Sequence, residues 1–286
     1  MEFQLPFGFL TKDVKIETDK FIIYRKDVYD FSEITDKNGW ITSFTNHKNK
    51  NRYSRIFDLP LNAILEGDFL SEDHAKFMIW CYSFLYGIRL SYLKNGFLDA
   101  VNINKSVFNF IVYDYADILK ICYNYKMDYK PISAIIHMLF MAKVPEGHTL
   151  QYERFSYLYS AFDSCFRIIA QKQGYNPKKI CAHSQRIEKC FEMTNIEQPL
   201  FLTKKDSNNN LTILNLRNKL IHESIFNGEP VGYSATAEHE HYIYEFSNYC
   251  CKLLLYILDI LSNEYKAVPC SSRNSFPNYS NDIISS

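Results

Sequence analysis

An excess of charge of either sign is missing from this sequence. Its 32 Lys and Arg are balanced by 32 Asp and Glu, which leaves no formal net charge and a pI of about 7.1. That excludes a general electrostatic footprint for nucleic acid or membranes, so any polyanion contact has to come from a local patch. Long apolar runs are missing too. The richest, 132–142 and 253–261, fall short of the roughly 18 residues that a membrane span needs. They predict core helices and no membrane partner. The opening MEFQLPFGFL has neither a basic start nor a long apolar run and does not read as a secretory signal. Glycine is scarce: there are nine in 286 residues. None is arranged to cradle a phosphate, which excludes Walker and Rossmann fingerprints. The eight cysteines lack C-x-x-C spacing. They predict reduced, mostly buried thiols, a cytoplasmic location and no structural zinc. Nothing in the sequence implies a cofactor.

What is present is bulk. Aromatic residues make up 16%, with 22 Tyr and 22 Phe, inside an ordinary globular balance of 47% hydrophobic and 22% charged residues. The patterning changes along the chain. Residues 14–18 and 20–25 read as strands, and 39–44 and 53–59 as a hairpin around a polar loop. Ser71 is a plausible N-cap for a helix running to about residue 93, with Gly87 as a weak point inside it. From residue 130 the pattern is helical throughout: 132–143, 150–172, 182–193, 211–226 and 237–265. The expected fold class is an α+β N-terminal region (1–129), then an all-α helical bundle (130–266), then a Ser- and Asn-rich flexible tail (267–286).

The segment 211–226, LTILNLRNKLIHESIF, carries the chemistry. On a helical wheel, Ile213, Leu214, Leu216, Leu220 and Ile221 span an apolar arc of roughly 160°, and Arg217 lies within it. Asn218 and His222, four apart, share the polar edge. An arginine in an apolar arc needs a carboxylate or a seam where an anion enters. A guanidinium, an amide and an imidazole at one helix edge can hold a phosphate and move a proton. The same three residues also fit a purely structural role, with Arg217 as an internal tie and His222 capping the helix end.

The string RNKLIH at 217–222 resembles the R-x4-6-H signature of the HEPN family, with a polar residue directly after the arginine. The following ESIFNGEP is similar to the run after the motif in a prokaryotic defence-associated branch. The resemblance covers about 130–266 and implies a HEPN-like bundle of four or five helices. It implies a metal-independent endoribonuclease whose composite site forms in a homodimer, and a toxin or abortive-infection role in antiviral defence. Any antitoxin or trigger ligand is left unidentified. By that resemblance Arg217, Asn218 and His222 are the catalytic residues. A neutral His222 takes the proton of a ribose 2′-OH, Arg217 meets the phosphoryl charge, and the partner's histidine protonates the leaving oxygen. The rival reading is a non-catalytic HEPN scaffold for dimerisation or for binding a nucleotide or partner.

Supporting residues follow from position. Asp163 lies at the edge of the apolar stripe of helix 150–172 and is the expected partner of Arg217. Lys48, Lys50, Arg52 and Arg55, with Tyr53 among them and no acid from 37 to 57, form the candidate RNA-binding patch. Lys204 and Lys205 are weaker candidates for the same contact. His239 and His241 sit two apart and do not share a helix face, so EHEH at 238–241 does not read as a metal site.

Overall fold

The computed structural model describes residues 2–10, 12–27, 61–92, 108, 110, 112, 114–143, 150–176, 182–231 and 240–260. The expected hairpin at 39–59, with Lys48, Lys50, Arg52 and Arg55, lies outside the described residues, as does the tail. The chain divides into two compact units, with the division between Ser133 and Ala134. A small antiparallel sheet and its helices form the first. Helices dominate the second.

In the N-terminal unit, β1 (Glu2–Phe7), β2 (Lys15–Glu17), β3 (Phe21–Arg25) and β4 (Ala63–Asp68) make one antiparallel sheet in the order β1-β4-β3-β2. The strands read at 14–18 and 20–25 are β2 and β3. The other two had gone unread. β1 contains Pro6, and β4 contains Gly67, both residues that ordinarily argue against a strand. Gly67 is there because the sheet is tight at that point. It pairs with both Phe3 and Phe21, and a Cβ on it would meet the Phe21 Cα at 2.7 Å. Buried Asn62 ties the sheet to its flank. Its Nδ2 donates to the Leu10 carbonyl at 2.6 Å, and its Oδ1 accepts the Leu10 N–H at 2.9 Å.

Helix α1 (Glu72–Tyr86) starts where the cap signal predicts: Ser71 Oγ accepts the His74 N–H at 3.2 Å. It stops at Tyr86, well before residue 93. Gly87 adopts φ 75° and ends the helix as a left-handed cap. Ser83 Oγ then holds the chain beyond it, donating to the Ile88 carbonyl at 2.8 Å and accepting from the Leu90 N–H at 2.9 Å. α2 (Tyr115–Tyr123) follows, capped by Asp114. The division between the units falls within α3 (Tyr129–Ala142).

In the C-terminal unit, α4 (Gln151–Lys172) packs on α8 (Glu240–Ile257) through interleaved rings. Phe162 lies 6.0 Å from Phe246 and 6.2 Å from Tyr249, and Phe155 lies 6.3 Å from Phe246. The stripe expected on α4, which is Phe155, Leu158, Phe162, Cys165, Phe166 and Ile169, is fully buried. Glu153 turns back to accept the Leu150 N–H at 2.7 Å. Between these two helices lie α5 (His183–Thr194), the short α6 (Leu200–Thr203) and α7 (Thr212–Glu223). The helix expected over 211–226 is shorter than read. Ser224 adopts φ 55° and ends α7, and β5 (Ile225–Phe226) pairs with β6 (Glu229–Pro230) as a small hairpin in the otherwise helical unit. Its anchor is Phe226, which is buried against Phe155 at 5.6 Å. The six described cysteines are buried and in no disulfide.

One buried group in the N-terminal unit makes stability depend on pH. His74 has no exposed surface. It stacks on Tyr129 at 4.8 Å, lies 4.9 Å from Tyr123, and meets Phe69 edge-on at 5.5 Å. Burial lowers its pKa from 6.5, against a smaller opposing effect of a backbone hydrogen bond. Its contribution is therefore complete above pH 6.5 and declines as pH falls toward the lowered folded value, because the unfolded chain takes up the proton first. Denaturation of the wild type is expected to lose stability on acidification between about pH 7 and 5 more steeply than His74→Phe, which cannot titrate.

Candidate functional site

The site helix α7 is fixed at its start by the loop before it. Asp206 Oδ1 accepts the backbone N–H groups of Asn208 and Asn210, each at 2.9 Å. Its Oδ2 accepts Asn215 Nδ2 at 2.6 Å. These bonds, that from Asn210 first, hold the Asp206 carboxyl below its usual range. Lys204 and Lys205 are exposed in this loop, and the Lys204 carbonyl accepts from the Thr212 N–H at 2.9 Å. The turn-rich sequence 203–210 thus acts as an N-terminal clip for a helix that has no side-chain cap of its own.

Arg217 is half-buried on α7. Its guanidinium lies over the ring of Tyr159 on α4, 5.9 Å from the centroid, and Nη1 donates to Asn218 Oδ1 at 2.8 Å. Its Nε is buried with no hydrogen-bond partner. Among the described residues it has no carboxylate within ion-pair distance. The expected partner, Asp163, is taken by another arginine. Asp163 Oδ2 accepts from Arg186 Nη1 of α5 at 2.8 Å and lies 3.7 Å from His183 Nδ1. The reason is reach: α5 presents His183 and Arg186 three apart, on one face, directly to the α4 edge that carries Tyr159 and Asp163 four apart. Asp163 Oδ1 is left buried and unbonded.

The structure thus brings Arg217 and Asn218 together and places Asp163 in the same cluster on a different arginine. Asn218 and His222 are both exposed on α7, His222 in its last turn. Sequence reasoning missed Tyr159, His183 and Arg186. The signal was available as Y-x3-D on α4 and H-x2-R on α5, each placing two polar groups on one helix face. His183 Nδ1 is 3.3 Å from both Tyr159 Oη and Arg186 Nη1. Desolvation lowers the His183 pKa. Asp163 opposes this, and Arg186, Arg217 and Arg167 add to it. Burial pushes the Tyr159 hydroxyl well up, and Asp163 adds to this.

The apolar arc of α7 is only partly covered. Ile213 is buried, Leu214, Leu216 and Leu220 are half-buried, and Ile221 is 55% exposed. Leu200, on the neighbouring α6, is 86% exposed. Among the described residues no three His, Cys, Asp or Glu side chains are grouped to hold a metal ion, and no helix is long and apolar enough to cross a membrane.

Removing the Asp163 charge leaves Arg186 mostly buried without a carboxylate. Asp163→Asn is expected to lower the unfolding free energy toward the lower end of the about 3–5 kcal/mol seen when one partner of a buried pair is lost. Urea denaturation measures this. Comparison with protein-family models, curated proteins and solved structures finds no match to this chain.

Proposed function

We propose that the C-terminal unit is a metal-independent endoribonuclease of the HEPN type that works as a homodimer. The observation that carries this reading is the disposition of the R-x4-H segment. Arg217 and Asn218 are hydrogen-bonded to each other, and Asn218 and His222 project from the surface of α7. A phosphodiester can approach from solvent. Arg217 has a cationic charge answered by no described carboxylate, which suits the growing negative charge on a phosphoryl group. His222 takes the 2′-OH proton, the new oxyanion attacks the adjacent phosphorus, and the 5′-oxygen leaves with a proton from the histidine of the partner subunit. Products end in a 2′,3′-cyclic phosphate and a 5′-OH, and DNA is not a substrate.

The half-covered leucines of α7, with exposed Ile221 and Leu200, support dimerisation through the motif helix, because a second copy would shield them. In this reading the protein is a cytoplasmic toxin or abortive-infection effector in antiviral defence. The N-terminal unit restrains it, senses its trigger or selects RNA, and Lys48, Lys50, Arg52 and Arg55 contribute to RNA contact. A second reading, the non-catalytic scaffold, is favoured by the shielded Nε of Arg217 and its seat over Tyr159, which suit an internal tie as well.

The test is incubation of the purified protein with labelled single-stranded RNA in EDTA, beside His222→Ala and Arg217→Ala. Wild type is expected to cut and leave cyclic phosphate ends, with at least about a hundredfold loss in each variant. Equal cutting by all three assigns the activity to other residues. A dimer that binds RNA without cutting it supports the scaffold.

A further inference from the structure

Arg217 is not the only half-buried group in its cluster with unused hydrogen-bonding capacity. His183 belongs to α5, outside the R-x4-H segment, and its side chain is 31% exposed. Its ring and the Arg217 guanidinium each lie 5.9 Å from the centre of the same Tyr159 ring. Its tautomer follows from its neighbours. Nδ1 is 3.3 Å from Arg186 Nη1, and an arginine N–H can only donate. Nδ1 is therefore the acceptor, supported by the Tyr159 hydroxyl at the same distance, and Asp163 at 3.7 Å is too far for a hydrogen bond. The ring proton sits on Nε2, which has no partner among the described residues.

Local charge points the same way. Three guanidinium groups, Arg186, Arg217 and Arg167, act on His183 against one carboxylate, Asp163. Arg186 answers Asp163 at 2.8 Å, so the charge of Arg217 remains over. These two donors suit an anion that accepts from both an arginine and an imidazole N–H.

We propose that His183 is a further substrate-binding residue. Its Nε2–H and the Arg217 guanidinium take the same phosphate group of the RNA backbone, and Arg186 and Tyr159 are positioning residues that hold the imidazole in the donating tautomer. The inference rests on the ribonuclease reading, and it adds a residue from another helix to the site. Desolvation first, and then the cationic neighbours, favour the neutral ring against the opposing charge of Asp163, which suits a residue that donates a hydrogen bond and transfers no proton.

The experiment uses the full chain and a fluorescent single-stranded 2′-O-methyl RNA, which binds but cannot be cut by 2′-OH attack. Anisotropy titrations compare wild type, His183→Ala, His183→Gln, Arg217→Ala and the His183→Ala/Arg217→Ala pair, with the thermal midpoint of each checked. His183→Ala and Arg217→Ala are each expected to weaken binding about tenfold or more, as loss of one hydrogen bond to a charged group does. The double variant is expected to lose less than the product of the two, because both groups hold one phosphate. His183→Gln restores a side-chain N–H and is expected to recover most of the affinity, which a merely structural histidine would not produce. If His183→Ala binds like wild type while Arg217→Ala does not, His183 is overturned and the ribonuclease reading stands. If His183→Ala weakens binding but wild type never cuts RNA, the phosphate seat stands and the ribonuclease reading fails. No binding by wild type overturns the seat.

Discussion

Tyr159 is the residue on which the C-terminal unit and its candidate site both depend. One edge of its ring meets Phe246 of α8 at 6.4 Å and belongs to the aromatic core. Its other side carries the Arg217 guanidinium, and its hydroxyl reaches His183. A ring can do this because its face attracts cations while its edge and body bury apolar area. The site is therefore an extension of the α4–α8 packing. Whatever fixes Phe155, Phe162 and Phe246 also fixes the platform on which Arg217 rests.

Desolvation without a countercharge distinguishes Arg217 from its neighbour Arg186. Both have a buried, unbonded Nε, and both lie over an aromatic ring, Arg186 over Phe166 at 5.8 Å. Among the described residues only Arg186 has a carboxylate partner. An arginine kept in a shielded place with its charge unmatched is expensive for a fold that serves stability alone. On the proposed reading, an anion bound by the cluster offsets that cost.

That strands lead and helices follow was legible, because aromatic and β-branched alternation gives way to 3.6-residue periodicity, first after Ser71 and throughout from residue 130. The stripe of α4, the cap at Ser71 and the strands β2 and β3 could be read from local pattern alone. Four features could not. β4 is central to its sheet and contains a glycine that only a close backbone neighbour explains. Gly87 reads as a helix defect until its positive φ shows it to be a terminator. Ser224 ends α7 in a left-handed conformation that serine seldom adopts, so Ile225 and Phe226 looked like more helix. The choice of Asp163 for Arg186 over Arg217 depends on how α5 docks against α4, which no single-helix wheel contains. Arg217 and Asn218 were legible because their relation is local to one helix. His183 was not, because its relation to Arg217 passes through a tyrosine 24 residues away in sequence.

The clip at Asp206 and the left-handed turn at Ser224 together give α7 a fixed phase. Between them the helix has no slack: its first turn is tied to the Lys204 carbonyl, and its last is followed at once by a hairpin anchored on Phe226. An insertion of one residue ahead of Arg217 would turn the motif by about 100° around the helix axis and carry the guanidinium off the Tyr159 face. Exposed positions in 203–230 outside the R-x4-H segment are free to drift in identity. The spacing between the two anchors is not, and selection on this stretch would act on length before it acted on composition.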